Sequence, residues 1–401
     1  MSKTMKNRRL AFEPRFAYLP DSDRYLTRRG CPEFRVNVIG TGVNGQEHMR
    51  VTEYEGRAAV HGIYDPNAGS SQAAEVMMRG MGKEIQVYSD LHSACTDPAV
   101  DALIISSPNY THIDIVETAV KAGKHILLEK PMATTVTDAA RILELANASE
   151  KVFQIGLQYR YKSIFRESIY EALKRCSLGS IQTISIQEHR ISFLDKVGQW
   201  NKFSRYSGGT LVEKCCHYFD LFNLFAASRP VRVMASGSQA VNYKDFLHDG
   251  NRADIMDNAF VIVEYANGVR ACFSICMFAP LFYEELVLCG AEGRLKAWER
   301  QDFIGKGELE CGLELNLGDL APARYTTPHY PAHIEEAGHH GATFFEHLNF
   351  VDNMLGKKTD TATVEDGFWS VVVGAAAEEA VKSGRPVEID QFLRGCGVNP
   401  T

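Results

Sequence analysis

Arg35-Val36-Asn37-Val38-Ile39-Gly40-Thr41-Gly42-Val43-Asn44-Gly45 reads as a buried strand running into a glycine turn. Gln46 to Tyr54 follows with helical potential. Gly40, Gly42 and Gly45 fit the G-x-G-x-x-G spacing, in which small residues let the backbone approach a pyrophosphate and a helix N-terminus meets its charge. Gly40, Thr41, Gly42, Val43, Asn44 and Gly45 are therefore the expected phosphate turn. Asp65 stands twenty residues after Gly45, closing the next apolar segment, Ala58 to Tyr64. A carboxylate there accepts hydrogen bonds from ribose hydroxyls and repels a 2′-phosphate, which favours NAD over NADP as cofactor. The plainer alternative is a tight turn that binds nothing, with Asp65 capping the helix after Pro66.

Outward from this turn, helices and short apolar strands alternate. Helical segments are Ser70 to Met81, Leu91 to Cys95, Thr111 to Ala122 and Thr137 to Ser149. Strand segments are Gln86 to Tyr88, Val100 to Ser106, His125 to Leu128 and Val152 to Gly156. Such alternation signals a doubly wound parallel sheet covered on both faces. The pattern changes near Leu157. After a helix over Lys162 to Cys176, strands dominate: Ile181 to Arg190, Val231 to Val241, Ala259 to Tyr265, Val269 to Met277, Glu285 to Cys289 and Arg294 to Trp298. Asn267-Gly268 is a two-residue hairpin signal between two of them. Phe344 to Leu355 and Gly367 to Ser383 read as late helices. The expected organisation is an N-terminal arm (1–33), an α/β Rossmann domain (34–157) and an α+β domain (158–401) built on a large open, mostly antiparallel sheet. An open face that keeps apolar residues is a natural contact surface for a homodimer or homotetramer.

The chain of 401 residues exceeds what one core usually supports, which agrees with two domains. Its 43 Lys and Arg against 50 Asp and Glu give a net charge of −7, which argues against a general nucleic-acid binder. Ten cysteines show neither C-x-x-C nor a metal-ligand spacing, so reduced thiols, a reducing cytoplasmic compartment and no metal are expected. No apolar run approaches the ~18 residues of a membrane span. Arg8-Arg9 leads into Leu10-Ala11-Phe12-Glu13-Pro14-Arg15, which is no apolar signal core.

Further motifs carry a family resemblance. Ser107-Pro108-Asn109-Tyr110-Thr111-His112, Ala122-Gly123-Lys124-His125 and Glu129-Lys130-Pro131 come first. Gly208-Gly209-Thr210-Leu211-Val212-Glu213-Lys214-Cys215-Cys216-His217-Tyr218-Phe219-Asp220 and Ser383-Gly384-Arg385-Pro386-Val387 follow. In order and spacing, over residues 34–388, the chain resembles the glucose–fructose oxidoreductase, inositol dehydrogenase and MocA family. The resemblance implies a nicotinamide ring near Pro108, Asn109, His112 and Lys130, with Ser107, Glu129 and Gln158 also on the cofactor side. It implies that Lys130 binds substrate and aids proton transfer, that His217 is the acid/base, and that the acid four positions before it assists. The family usually has Asp where this chain has Glu213.

The chemistry suits those roles. Oxidising a secondary alcohol removes a hydride from carbon and a proton from oxygen. A histidine can exchange that proton near neutrality, and an ammonium stabilises developing alkoxide charge. Glu213 and His217, four apart, would share one helix face, where the carboxylate would orient the imidazole and raise its pKa. Asp220 either orients His217 or serves elsewhere. Tyr159 and Arg160, Trp200 and Asn201, and His340 are further candidates for contact with the substrate, Trp200 by stacking on a sugar face. His339-His340 lacks a third ligand spaced nearby for a metal. Cys215 and Cys216 read as packing residues. The expected activity is NAD-dependent oxidation of a sugar, glycoside or inositol-type polyol. The alternative is a redox-neutral glycosidase that retains NAD and works by transient oxidation and elimination. A non-catalytic NAD(H) sensor would not need the Lys130/His217 pair.

Overall fold

The structure is a computed structural model, and it describes residues 31–302, 309–335 and 337–399. Of the expected arm, residues 1–30 lie outside the described residues. Six parallel strands form the first sheet: β1 (Phe34–Ile39), β2 (Ala58–Tyr64), β3 (Gln86–Val87), β4 (Ala102–Ile105), β5 (His125–Glu129) and β6 (Phe153–Gly156). Their order is β3-β2-β1-β4-β5-β6, the dinucleotide-binding arrangement with its switch point between β1 and β4. β4 is buried along its whole length, because helices cover both faces of the sheet. The helix Val43–Glu55 opens at Gly42 and stops at Gly56, whose φ of +85° ends the helix in the left-handed region. The helix Ala68–Gly80 is capped by Asn67, whose side chain accepts from the Ser70 amide, so the cap is Asn67 and not Asp65.

The second half carries β7 (Ile181–His189), β8 (Pro230–Ser238), β9 (Leu247–His248), β10 (Asn251–Arg252), β11 (Asn258–Tyr265), β12 (Arg270–Cys276), β13 (Leu281–Gly290), β14 (Arg294–Asp302), β15 (Glu310–Asn316), β16 (Arg324–Thr326) and β17 (Val387–Glu388). β9 and β10 pair only with each other; the other nine form one sheet, β16-β15-β14-β13-β7-β12-β11-β8-β17. Only β7 and β12 run parallel within it. The Asn267-Gly268 hairpin joins β11 to β12 as read from the sequence, with Tyr265 N donating to Val269 O. β13 starts four residues earlier than expected, and β15 and β16 extend the sheet beyond the anticipated strands.

β11 alternates buried Ala259, Val261 and Val263 with outward Phe260 and Ile262, which are 69% and 44% exposed. The inner face packs on the helices Cys216–Ala226 and Val364–Ser383. The helix Ala342–Met354 returns to the first domain: Phe350 and Val351 join Val36, Val38 and Met49 in one core. The chain past 157 therefore does not keep to the second domain. Among the described residues no helix is long and apolar enough to cross a membrane.

Candidate active site

The glycine turn is built by close approach. Gly40 has φ +88°, and a Cβ on it would lie 2.5 Å from Ser107 N. A Cβ on Gly45 would lie 2.1 Å from Gly40 O, so the helix packs on the turn only without a side chain there. Gly42, at the helix start, would meet nothing within 4 Å. That open side, at a helix N-terminus between β1 and β4, fits a pyrophosphate. Val43 and Asn44 form the first turn of the helix behind it. The Asp65 carboxylate accepts from the Thr41 amide at 2.7 Å and the Thr41 hydroxyl at 3.1 Å. Asp65 is thus tied to the phosphate turn, where a ribose would be read.

The loop after β4 holds Ser107, Pro108 and Asn109 at the same end of the sheet. The buried His112 faces two carbonyls, Pro131 O at 2.9 Å from Nδ1 and Ser107 O at 3.1 Å from Nε2. Burial lowers its pKa, and the neutral ring donates to one of the two carbonyls, bracing this loop against the one after β5. Asn109 reaches across to Ser207 O at 3.4 Å.

Glu129 ends β5 buried, accepting from the Lys130 amide at 3.0 Å and facing His48 Nε2 at 2.8 Å. Lys130 Nζ donates to Glu213 O at 3.1 Å and lies 3.9 Å from Glu213 Oε1. Burial opposes the Lys130 charge, but the carboxylates of Glu213 and Glu129 outweigh it and raise its pKa. For Glu213, burial is likewise outweighed, here by Lys130, Lys196 and Arg190, and its pKa falls. Both stay ionised. Lys196, 3.7 Å from Glu213 Oε1, lies over the Trp200 ring at 4.5 Å from its centroid.

The expected Glu213–His217 pairing is not formed. The helix Thr210–Glu213 ends before Lys214 and Cys215, and a new helix, Cys216–Ala226, begins beyond them. The four-residue spacing therefore spans a break, and Glu213 turns to the lysines. His217 instead stacks on Tyr159, centroids 3.9 Å apart. Its Nδ1 is buried without a partner among the described residues. Its pKa is lowered well below the usual value rather than raised, first by burial, then by Lys130 and Lys214.

Arg160 also departs from expectation. Its guanidinium forks onto Asp220 at 2.7 and 2.5 Å and reaches Asp366 at 3.1 Å, fully buried. That pairing takes Arg160 out of the substrate set and Asp220 away from His217. Asn201 donates to Leu194 O at 3.0 Å, which fixes the loop that holds Trp200. Gln158 is buried with its Oε1 unpartnered among the described residues. His340 lies 3.3 Å from Glu299. Cys215 and Cys216 are buried, and burial pushes the Cys216 thiol up to about 12.

Several site residues were not singled out beforehand. Lys214 Nζ donates to Tyr159 Oη at 2.6 Å and pairs with Glu188 at 3.0 Å. Lys162 bridges Glu284 and Glu299 and also lies over the Tyr159 ring, 4.3 Å from its centroid. The sequence does hold a signal: Glu188 continues the inward row Ile184, Ile186 on β7, and Glu284 and Glu299 do the same on β13 and β14.

A dinucleotide turn facing a lysine, a neutral histidine and a polar sheet face defines a two-domain nicotinamide oxidoreductase. Family models agree: "Oxidoreductase family, NAD-binding Rossmann fold" matches residues 34–157, and "Oxidoreductase family, C-terminal alpha/beta domain" matches residues 170–389. The chain belongs to the Gfo/Idh/MocA family of NAD-binding oxidoreductases. It is 24% identical over 364 residues to the myo-inositol 2-dehydrogenase of Thermotoga maritima, covering 90% of this chain and 99% of the relative. It is also 24% identical to the NAD(+) scyllo-inositol 2-dehydrogenase of Bacillus subtilis, covering 89% of this chain and 97% of the relative. A levoglucosan dehydrogenase solved with NADH and levoglucosan shares the fold, with a TM-score of 0.73, 18% identity, and coverage of 89% of this chain and 99% of that one.

Proposed function

We propose that the protein is an NAD-dependent dehydrogenase that removes a hydride and a proton from a secondary alcohol of a sugar, glycoside or inositol-type polyol. The observation that carries this reading is the placement of two groups: Lys130 Nζ donates to Glu213 O and lies 3.9 Å from its carboxylate, while His217 is stacked on Tyr159 with its Nδ1 buried and unpartnered among the described residues. The turn of Gly40 to Gly45, with Asp65, would hold the cofactor, and Ser107, Pro108, Asn109 and Glu129 would line its nicotinamide end. NAD, when bound, supplies the hydride acceptor. Lys130 hydrogen-bonds the reacting oxygen and stabilises its developing negative charge. Neutral His217 takes the hydroxyl proton. Glu213 keeps Lys130 charged and aimed. Tyr159, covered by His217 and Lys162, backs the histidine, while Trp200 and His340 would face the polyol.

Phe260 and Ile262 on the outer sheet face support assembly into a homodimer or homotetramer through that sheet. All ten cysteines are free, which supports a reducing, cytoplasmic setting. The test combines NADH binding, followed by fluorescence, with turnover of polyols. Lys130→Met and His217→Asn are expected to bind NADH within about twofold of wild type and to lose about 10²-fold or more in kcat. Wild-type turnover in both variants would overturn the assignment.

A further inference from the structure

A second cluster of buried ionisable groups lies outside the hydride-transfer site. The helix Val43–Glu55 contributes His48, and the helix Ala342–Met354 contributes Glu346 and His347; all three are buried. One ligand-type atom from each lies within 4.8 Å of the others. His48 Nδ1 and His347 Nε2 are 2.8 Å apart. Two nitrogens at that separation can both reach one ion at about 2.0–2.1 Å in a cis arrangement.

Three observations point to a cation. Both carboxylate oxygens of Glu346 are buried and have no hydrogen-bond partner among the described residues. An orphaned carboxylate in such a place costs several kcal/mol unless it is neutralised or ligates an ion. Glu129 and Glu47 also act on it and add negative charge, while a ring nitrogen of each of His48 and His347 lies within 4.8 Å of it. Finally, His48 Nε2 is hydrogen-bonded to Glu129 at 2.8 Å. A carboxylate on the far nitrogen of an imidazole is the usual outer arrangement of a metal-bound histidine, since it fixes the tautomer that leaves the near nitrogen free to ligate.

We propose that His48, Glu346 and His347 form a site for one divalent transition-metal ion of the zinc or cobalt type. The ion clamps the returning helix to the first helix of the Rossmann domain and, through His48 and Glu129, steadies the end of β5 that presents Lys130. His48 is nearly three hundred residues from the adjacent Glu346 and His347, so no spacing motif announces the set.

The test is metal uptake by the full-length chain, stripped with chelator and titrated with Co(II) followed by its visible ligand-field bands, and separately with Zn(II) followed by thermal melting. One equivalent of Co(II) per chain and a Zn(II)-dependent rise in Tm are expected. Glu346→Gln, which keeps the shape and removes the charge, is expected to weaken Co(II) binding at least tenfold and abolish the Zn(II) effect on Tm. Should that variant misfold, stoichiometric uptake by the stripped wild type supports the site. Folded wild-type protein that takes up no Co(II), or Glu346→Gln protein that binds it as tightly as wild type, overturns the proposal and leaves a hydrogen-bonded histidine pair over a protonated carboxyl group.

Discussion

The imidazole of His217 lies flat on the ring of Tyr159, their planes 8° from parallel. Lys214 and Lys162 flank the same tyrosine, so a proton on His217 would sit among cations. The depressed pKa keeps His217 neutral below pH 6.5, where an ordinary histidine charges. The acid limb of kcat/KM for alcohol oxidation is therefore expected below pH 6.5, and Lys214→Met, which removes one cation, should move it upward. An acid limb that does not move in Lys214→Met would contradict this account. Folding follows the same sign: the unfolded chain binds this proton first, so His217 lowers stability as pH falls below 6.5.

Lys130 and Glu213 form the second pair to test. Lys130→Met is expected to lower kcat/KM by about 10²–10³ through loss of charge at the reacting oxygen. Glu213→Gln should cost less, and should shift the alkaline limb of the pH profile downward, because the raised Lys130 pKa depends on that carboxylate. Glu213→Asp should retain more activity than Glu213→Gln. Equal losses in the two variants would show that the charge is not what matters.

Asp65 has two duties, holding Thr41 and facing the ribose position. Asp65→Ser is expected to raise the KM for NAD and to shift the NADP-to-NAD preference by at least about tenfold, since it removes the charge that repels a 2′-phosphate. Steady-state kinetics with both cofactors would check it, and an unchanged preference would place the ribose elsewhere.

The Arg160–Asp220 fork belongs to stability. Asp220→Ala leaves a buried guanidinium with only Asp366, and is expected to cost about 3–5 kcal/mol in denaturant unfolding. Replacing the pair together, Arg160→Met with Asp220→Leu, should recover most of that. A loss under 1 kcal/mol in the single variant would show that the buried fork matters little.

Phe260→Glu with Ile262→Glu places two charges on the outer face of β11. The double variant is expected to run as a smaller species than wild type by light scattering, with its fold intact by circular dichroism. Wild-type mass in the variant would move the interface off this sheet.

The phosphate turn was legible because its glycine spacing is local to one strand–turn–helix unit, although the backbone that crowds Gly40 comes from Ser106 and Ser107 after β4. The early start of β13 was not, because Glu284 interrupts an apolar row. Glu284 in fact sits beside Glu188 and Glu299 in register across three strands, and its counter-charge Lys162 comes from a distant bend just before the helix Ser163–Ile169. Spacing also misled where the chain breaks or turns. Glu213 and His217 are four apart across a helix interruption, and Arg160 follows Tyr159 in the chain yet points to Asp220. Charge partners that come from other elements leave no trace in local periodicity.

The most direct test of the central claim is absorbance at 340 nm with purified protein, NAD or NADP, and a panel of inositols, aldoses and glycosides. The account predicts NADH formation with NAD and one polyol group, lost in His217→Asn. No NADH from any polyol, with NAD released from the denatured protein and a glycoside cleaved without added cofactor, would contradict it.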